Sequence, residues 1–194
     1  MLRSGVGCPC YYSIMRQRRP EGGVGSMTTY AVFFMDILDC IGNRDLLTAA
    51  DSVGFFASRR VTPLTVAACR DWAENLCLTE PHKVVVSGFH SPLEQELFRI
   101  FLTYRQPVVW VLGRSLFRRF EPDVARLIHA GVLLVVSLAH GTSHTRESAL
   151  ARNRFVAETA RENIFAEFAP GSGLELLYDW SAKRKKTLII RRPR

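Results

Sequence analysis

KVVVSGFHSPLEQELFRIFLTYRQPVVWVL, residues 83–112, decides the fold. Two β-branched runs, Lys83–Ser87 and Pro107–Leu112, bracket a segment with a different period. In that segment Leu93, Leu97, Ile100, Phe101 and Tyr104 recur on one helical face. Ser91-Pro92-Leu93-Glu94 supplies an N-cap serine, a proline at the first helical position and a glutamate three residues after the cap. The helix is therefore expected to start sharply at Ser91. Strands that are apolar throughout, joined by an amphipathic helix, predict two parallel strands with a crossover, covered on both faces.

The same alternation extends in both directions. Upstream, Ser52–Ala57 (SVGFFA) reads as a strand, and Pro63 opens a helix with Leu64, Ala68, Trp72 and Leu76 as its buried stripe. A helical or extended stretch over Tyr30–Cys40 is broken by Gly42-Asn43. Downstream come a helix over Pro122–Ala130 stopped by Gly131, a strand over Val132–Leu138 and a helix over Arg146–Arg161. A strand over Ile164–Phe168, the turn Gly171-Ser172-Gly173 followed by a helix to about Trp180, and a last strand over Thr187–Ile190 complete the series. The fold class is α/β: a doubly wound, mostly parallel sheet of Rossmann-like type with helices on both faces. It is expected over residues 30–180, between a flexible basic leader (1–29) and a basic tail (181–194).

Charge divides along the same lines. The net +8 comprises +3 in residues 1–29, +7 in residues 181–194 and −2 in the domain between them. The basic ends suit polyanions or simple solvation, and the domain's own field is nearly neutral. With 47% hydrophobic and 23% charged residues the chain reads as globular. No apolar run approaches the roughly 20 residues that span a bilayer. There is no apolar secretory core near the N-terminus, so a cytoplasmic protein is expected. Five cysteines, an odd number at irregular spacing, fit reduced thiols better than a disulfide framework. Cys8-Pro9-Cys10 has no second ligand pair, and His140 and His144 are separated by Gly141-Thr142-Ser143 with no fitting carboxylate. No metal and no cofactor are expected. Ser58, Ser87 and Ser137 lack the setting of a hydrolase nucleophile.

Ligands of such sheets gather at the carboxyl ends of the strands. There the sequence places Ser58-Arg59-Arg60, Ser87-Gly88-Phe89-His90-Ser91, Gly113-Arg114 and Pro170-Gly171-Ser172-Gly173. Free N–H groups where the Ser91 helix begins make a candidate phosphate cradle. Gly171 and Gly173 would let backbone approach a ligand at another helix start.

These residues carry a resemblance. NRDLL at 43–47, GFFASRR at 54–60, VVVSGFHSPLE at 84–94, ARNRFVA at 151–157 and the following PGSG resemble the DprA/Smf family of the SLOG superfamily, in a stand-alone form without flanking domains. The resemblance implies a nucleotide-like ligand or single-stranded nucleic acid. It also implies phosphate contacts by Ser58 and Arg59, a ligand turn at Ser87-Gly88, and Arg152, Asn153 and Arg154 near the same crevice. Phe89–Glu94 departs from the Ala-x-Gly-Ile-Asp continuation usual in DprA. The expected function is non-catalytic binding linked to DNA processing, with a homodimer compatible with it. Two alternatives stand beside it. One is a LOG-like hydrolase of nucleoside monophosphates with Glu175 as its carboxylate; the other is a scaffold that keeps only the fold.

Overall fold

The computed structural model describes residues 37–143 and 145–190. Residues 1–36, His144 and the last four residues lie outside them. The described chain forms β1 (Asp39–Gly42), a 3-10 turn (Arg44–Thr48), β2 (Ser52–Phe56), α1 (Pro63–Thr79), β3 (Val84–Ser87) and α2 (Pro92–Tyr104). It continues through β4 (Val108–Leu112), α3 (Pro122–His129), β5 (Leu133–Ser137), α4 (Arg146–Thr159), β6 (Glu162–Ala166), α5 (Gly173–Ala182) and β7 (Thr187–Ile190). One sheet in the order β1-β5-β4-β3-β2-β6-β7 holds all seven strands. Every pairing is parallel except β1 on β5.

Period-two alternation explains the layers. Val53, Phe55, Val85, Val108, Leu133 and Val135 pack into one core with α1, α2 and α3. Phe56, Val84, Val86, Val109, Val111, Leu134 and Val136 face the opposite way, toward Phe155 and Val156 of α4. Both faces of the central strands are apolar, as a doubly covered sheet requires. The order reverses at β2: β3, β4 and β5 follow on one side, and α4 then carries the chain back to β6 on the other. That reversal leaves a crevice beyond the carboxyl ends of β2 and β3.

Gly42 closes β1 and Asn43 caps the following 3-10 turn, so the chain breaks at the expected Gly42-Asn43 pair, while residues 30–36 of the stretch before it lie outside the described residues. Two readings are corrected. On α1 the buried residues are Thr65, Cys69, Ala73, Leu76 and Cys77, and Leu64 is exposed. The helix is turned by one residue because Thr62 caps it and Thr65 Oγ1 donates inward to Glu167, 3.1 Å away. β6 spans Glu162–Ala166, two residues earlier than Ile164–Phe168, because Glu162–Phe165 pair with β2. Burial pushes the Cys69 thiol up to about 12 and Cys77 to about 11, which makes both inert packing groups. No helix among the described residues is long and apolar enough to cross a membrane.

After α5 ends at Ala182, Thr187–Ile190 joins the sheet beside β6. Lys185 Nζ donates to the carbonyls of Ala157, Glu158 and Ala160, closing the carboxyl end of α4 with a positive charge. Lys186 and Lys83 both bind the Glu162 carboxylate, at 2.6 and 2.7 Å, and Lys83 also reaches Glu80. Burial alone would raise the Glu162 carboxyl; the bonds from Lys186 and Lys83 more than reverse this and hold it below 4.5. A depressed carboxyl stabilises the fold above its ordinary value, and that stability is lost as pH falls through the lowered one. Glu162→Gln should therefore lower the urea midpoint at pH 7, and its deficit should shrink as pH falls below about 4.5. A deficit that stays constant down to pH 3 would exclude this ion cluster as a stabiliser.

Candidate functional site

The turn after β3 is shaped by local chemistry. Ser87 is fully buried, and its hydroxyl donates to the Phe55 carbonyl at 2.8 Å, tying β3 to β2. Phe89 takes the left-handed conformation (φ 46°), unusual for a side chain with a Cβ, and its ring is buried against Phe98. This conformation turns His90 and Ser91 into α2, where the capping box forms as the sequence predicts.

Glu94 does more than close that box. Its carboxylate accepts N–H bonds from His90 (2.7 Å) and Ser91 (3.0 Å), and from Ala57 at the end of β2 (3.0 Å). The residue is 7% exposed. An internal anion therefore takes up the N–H groups of the turn that leads into α2.

Positive charge faces this anion across a crevice of about 390 Å³. Ser58 and Arg59 line it from the end of β2, His90 and Ser91 from the next turn, and Arg152 and Asn153 from α4. Arg152 is 6% exposed. Its guanidinium bonds the Asn153 side-chain oxygen at 3.2 and 2.9 Å. Burial lowers its pKa; the Glu94 charge opposes that shift and the Arg59 charge adds to it. Gly88 makes room for this seat, since a Cβ there would lie 2.5 Å from Arg152 Nε.

Two further residue pairs line the crevice and were missed from sequence. Thr145 and Arg146 start α4, and Ala149 and Leu174 supply an apolar wall. Arg146 occupies the first helical position, where the helix dipole disfavours a cation. Neither Arg59 nor Arg146 makes a hydrogen bond or salt bridge to another described residue. The available signal was position, because the loop after β5 is a strand end like the others.

The remaining candidates lie elsewhere. Arg60 is exposed outside the lining, and Arg154 binds Glu158 on the outer side of α4. Gly171, Ser172 and Gly173 stand beside the crevice without lining it; only the adjacent Leu174 does so. Glu175 accepts the Gly171 N–H at 2.5 Å and is not part of the lining. Among the described residues no cluster of three or more His, Cys, Asp or Glu side chains is placed to hold a metal.

The family model of DNA recombination-mediator protein A matches residues 35–191. The chain belongs to this family. Two solved DprA structures are similar to it. The DNA processing protein A of Helicobacter pylori, described for its single-stranded DNA binding mode, is 21% identical with a TM-score of 0.61. The match covers 77% of this chain and 69% of that one. The DprA of Streptococcus pneumoniae is 22% identical with a TM-score of 0.63, over 77% of this chain and 53% of that one. At these identities the likeness establishes the shared fold. Among curated proteins no match is found. In this DprA-family domain the crevice thus holds three guanidinium groups around one carboxylate that is already hydrogen-bonded three times.

Proposed function

We propose that the crevice binds single-stranded DNA, taking one nucleotide between the guanidinium groups of Arg59, Arg146 and Arg152. The observation that carries the reading is their convergence beside an acid whose charge is already engaged by Ala57, His90 and Ser91. Guanidinium forks suit phosphate oxygens, and three of them beside a single carboxylate leave an excess of positive charge in the crevice. Ala149 and Leu174 offer an apolar surface to a base or sugar, and His90 a polar edge. The volume suits a single nucleotide, so a free nucleoside monophosphate is expected to compete for the same place. Membership of the DNA recombination-mediator family and the DNA-binding description of the Helicobacter pylori protein support the same ligand class.

The reading is of a binding domain in DNA processing that acts in the cytoplasm, where the free thiols of Cys40, Cys69 and Cys77 are at home. A homodimer enters the proposal through the two edge strands: Ile41 of β1 and Leu188 of β7 are exposed. Sedimentation of the protein alone reads that state. For the ligand, a labelled short oligothymidylate is titrated at several salt concentrations. Arg59→Ala and Arg146→Ala should each weaken binding several-fold and flatten the salt slope by about 0.7. Adenosine monophosphate should displace the oligonucleotide. The proposal falls if the parent protein does not bind at low salt, or if both variants match it in affinity and slope.

A further inference from the structure

We infer that the loop between β4 and α3, residues 113–121, is a second contact for the same DNA strand, with Arg118 and Arg119 taking phosphates beyond the crevice. This rests on the single-stranded DNA reading of the crevice. GRSLFRRFE carries three arginines against the single acid Glu121. Arg118 and Arg119 are exposed and make no hydrogen bond or salt bridge to another described residue.

Long exposed arginines are usually mobile, and ordering them on a ligand costs entropy. Here the loop beneath them is held by a run of aromatic rings. Phe89 in the crevice turn packs on Phe98, 4.5 Å between centroids, and Phe98 on Trp110 at 4.9 Å. Trp110 packs on Phe117 at 5.3 Å, and Phe117 on Phe120 at 5.8 Å. The Arg114 guanidinium lies 4.9 Å from the centre of the Phe117 ring, and its buried Nε has no hydrogen-bond partner. Trp110 Nε1 also donates to the Gly88 carbonyl, beneath Arg152. The rings therefore serve as stiffening for the cations, since both neighbours of Phe117 are already in place.

The loop is also joined to the opposite wall. A Cβ on Gly113 would lie 2.8 Å from the Ser148 carbonyl oxygen, in the first turn of α4 that presents Arg146. Ser115 N–H donates to the Gly141 carbonyl at 2.8 Å, in the loop that leads to Thr145. A strand leaving the crevice past Arg146 thus meets a rigid basic ledge attached to the same elements. Charge complementarity and continuity with the crevice both select a nucleic-acid backbone as its occupant.

Length dependence tests the assignment. Oligothymidylates of about 5 and about 16 nucleotides bracket the span of small single-strand sites. In Arg118→Ala/Arg119→Ala, affinity for the longer oligonucleotide should fall about tenfold, with a salt slope shallower by about 1.4, the release expected from two phosphates. Affinity for the shorter one should stay within twofold of the parent. Equal loss on both lengths, or no loss on the longer, overturns the loop contact. If Arg59→Ala weakens both lengths while the loop variant changes neither, the crevice reading stands and the loop assignment alone fails. If the parent binds neither length, both fail together.

Discussion

Glu94→Ala should lower the melting temperature by about 10 °C, the largest stability change expected from any single substitution in the crevice. The carboxylate is buried and accepts N–H bonds from three backbone positions, two of them in the turn after β3 and one at the end of β2. Removing it leaves those donors unsatisfied and opens a small cavity, together about 3–4 kcal/mol. For a domain of this size each kcal/mol moves the midpoint by roughly 2–4 °C. Glu94→Gln keeps the volume and one acceptor oxygen but turns an amide N–H₂ toward a donor, so about half the loss is expected. Differential scanning calorimetry of the three proteins reads the series. A midpoint for Glu94→Ala within about 2 °C of the parent would mean that the carboxylate does not hold the turn.

Arg152→Met should show the opposite balance, with little change in stability and a loss of at least about tenfold in affinity for single-stranded DNA, equivalent to about 1.4 kcal/mol. Burial disfavours the Arg152 charge, so an unbranched apolar side chain relieves that penalty while filling most of the space over Gly88. What it gives up is attraction to Glu94, whose charge is also satisfied by three N–H groups. The two changes offset to within about 1 kcal/mol. Binding has no such compensation, because the buried guanidinium is the cation least screened by water. Calorimetry and anisotropy on the same preparation check both halves. If affinity stays within twofold, Arg152 is a structural cation and the ligand sits elsewhere. If the variant unfolds, the charge is needed by the fold and the site loses its central argument.

Much of the architecture was open to sequence reading because it is written in short-range pattern. KVVVS and PVVWVL declare strands through β-branching and continuous apolarity, and Ser91-Pro92-Leu93-Glu94 declares its helix start through four adjacent residues. Ser58-Arg59, His90-Ser91 and Arg152-Asn153 were also legible as site candidates, and the structure brings them to one crevice.

Other features depended on contacts between distant segments. The rotation of α1 follows from Thr65 meeting Glu167, 102 positions away, which no periodicity of α1 encodes. Arg146 reaches the crevice only because the crossover of α4 lays its first turn against the end of β4. The strand over Thr187–Ile190 is legible, but that Lys185 turns inward onto the end of α4 is not, because the carbonyls it meets lie more than twenty residues away. Glu94 shows the division within one residue. Its bond to Ser91 N–H is local and predictable from a four-residue motif, whereas its bond to Ala57 exists only because β2 and β3 lie side by side. Which segments become strands and helices follows from local pattern, since backbone propensity and period act over a few residues. Tertiary structure alone decided which charges are spent on the fold and which are left facing the crevice, because that depends on partners brought together by the winding of the sheet.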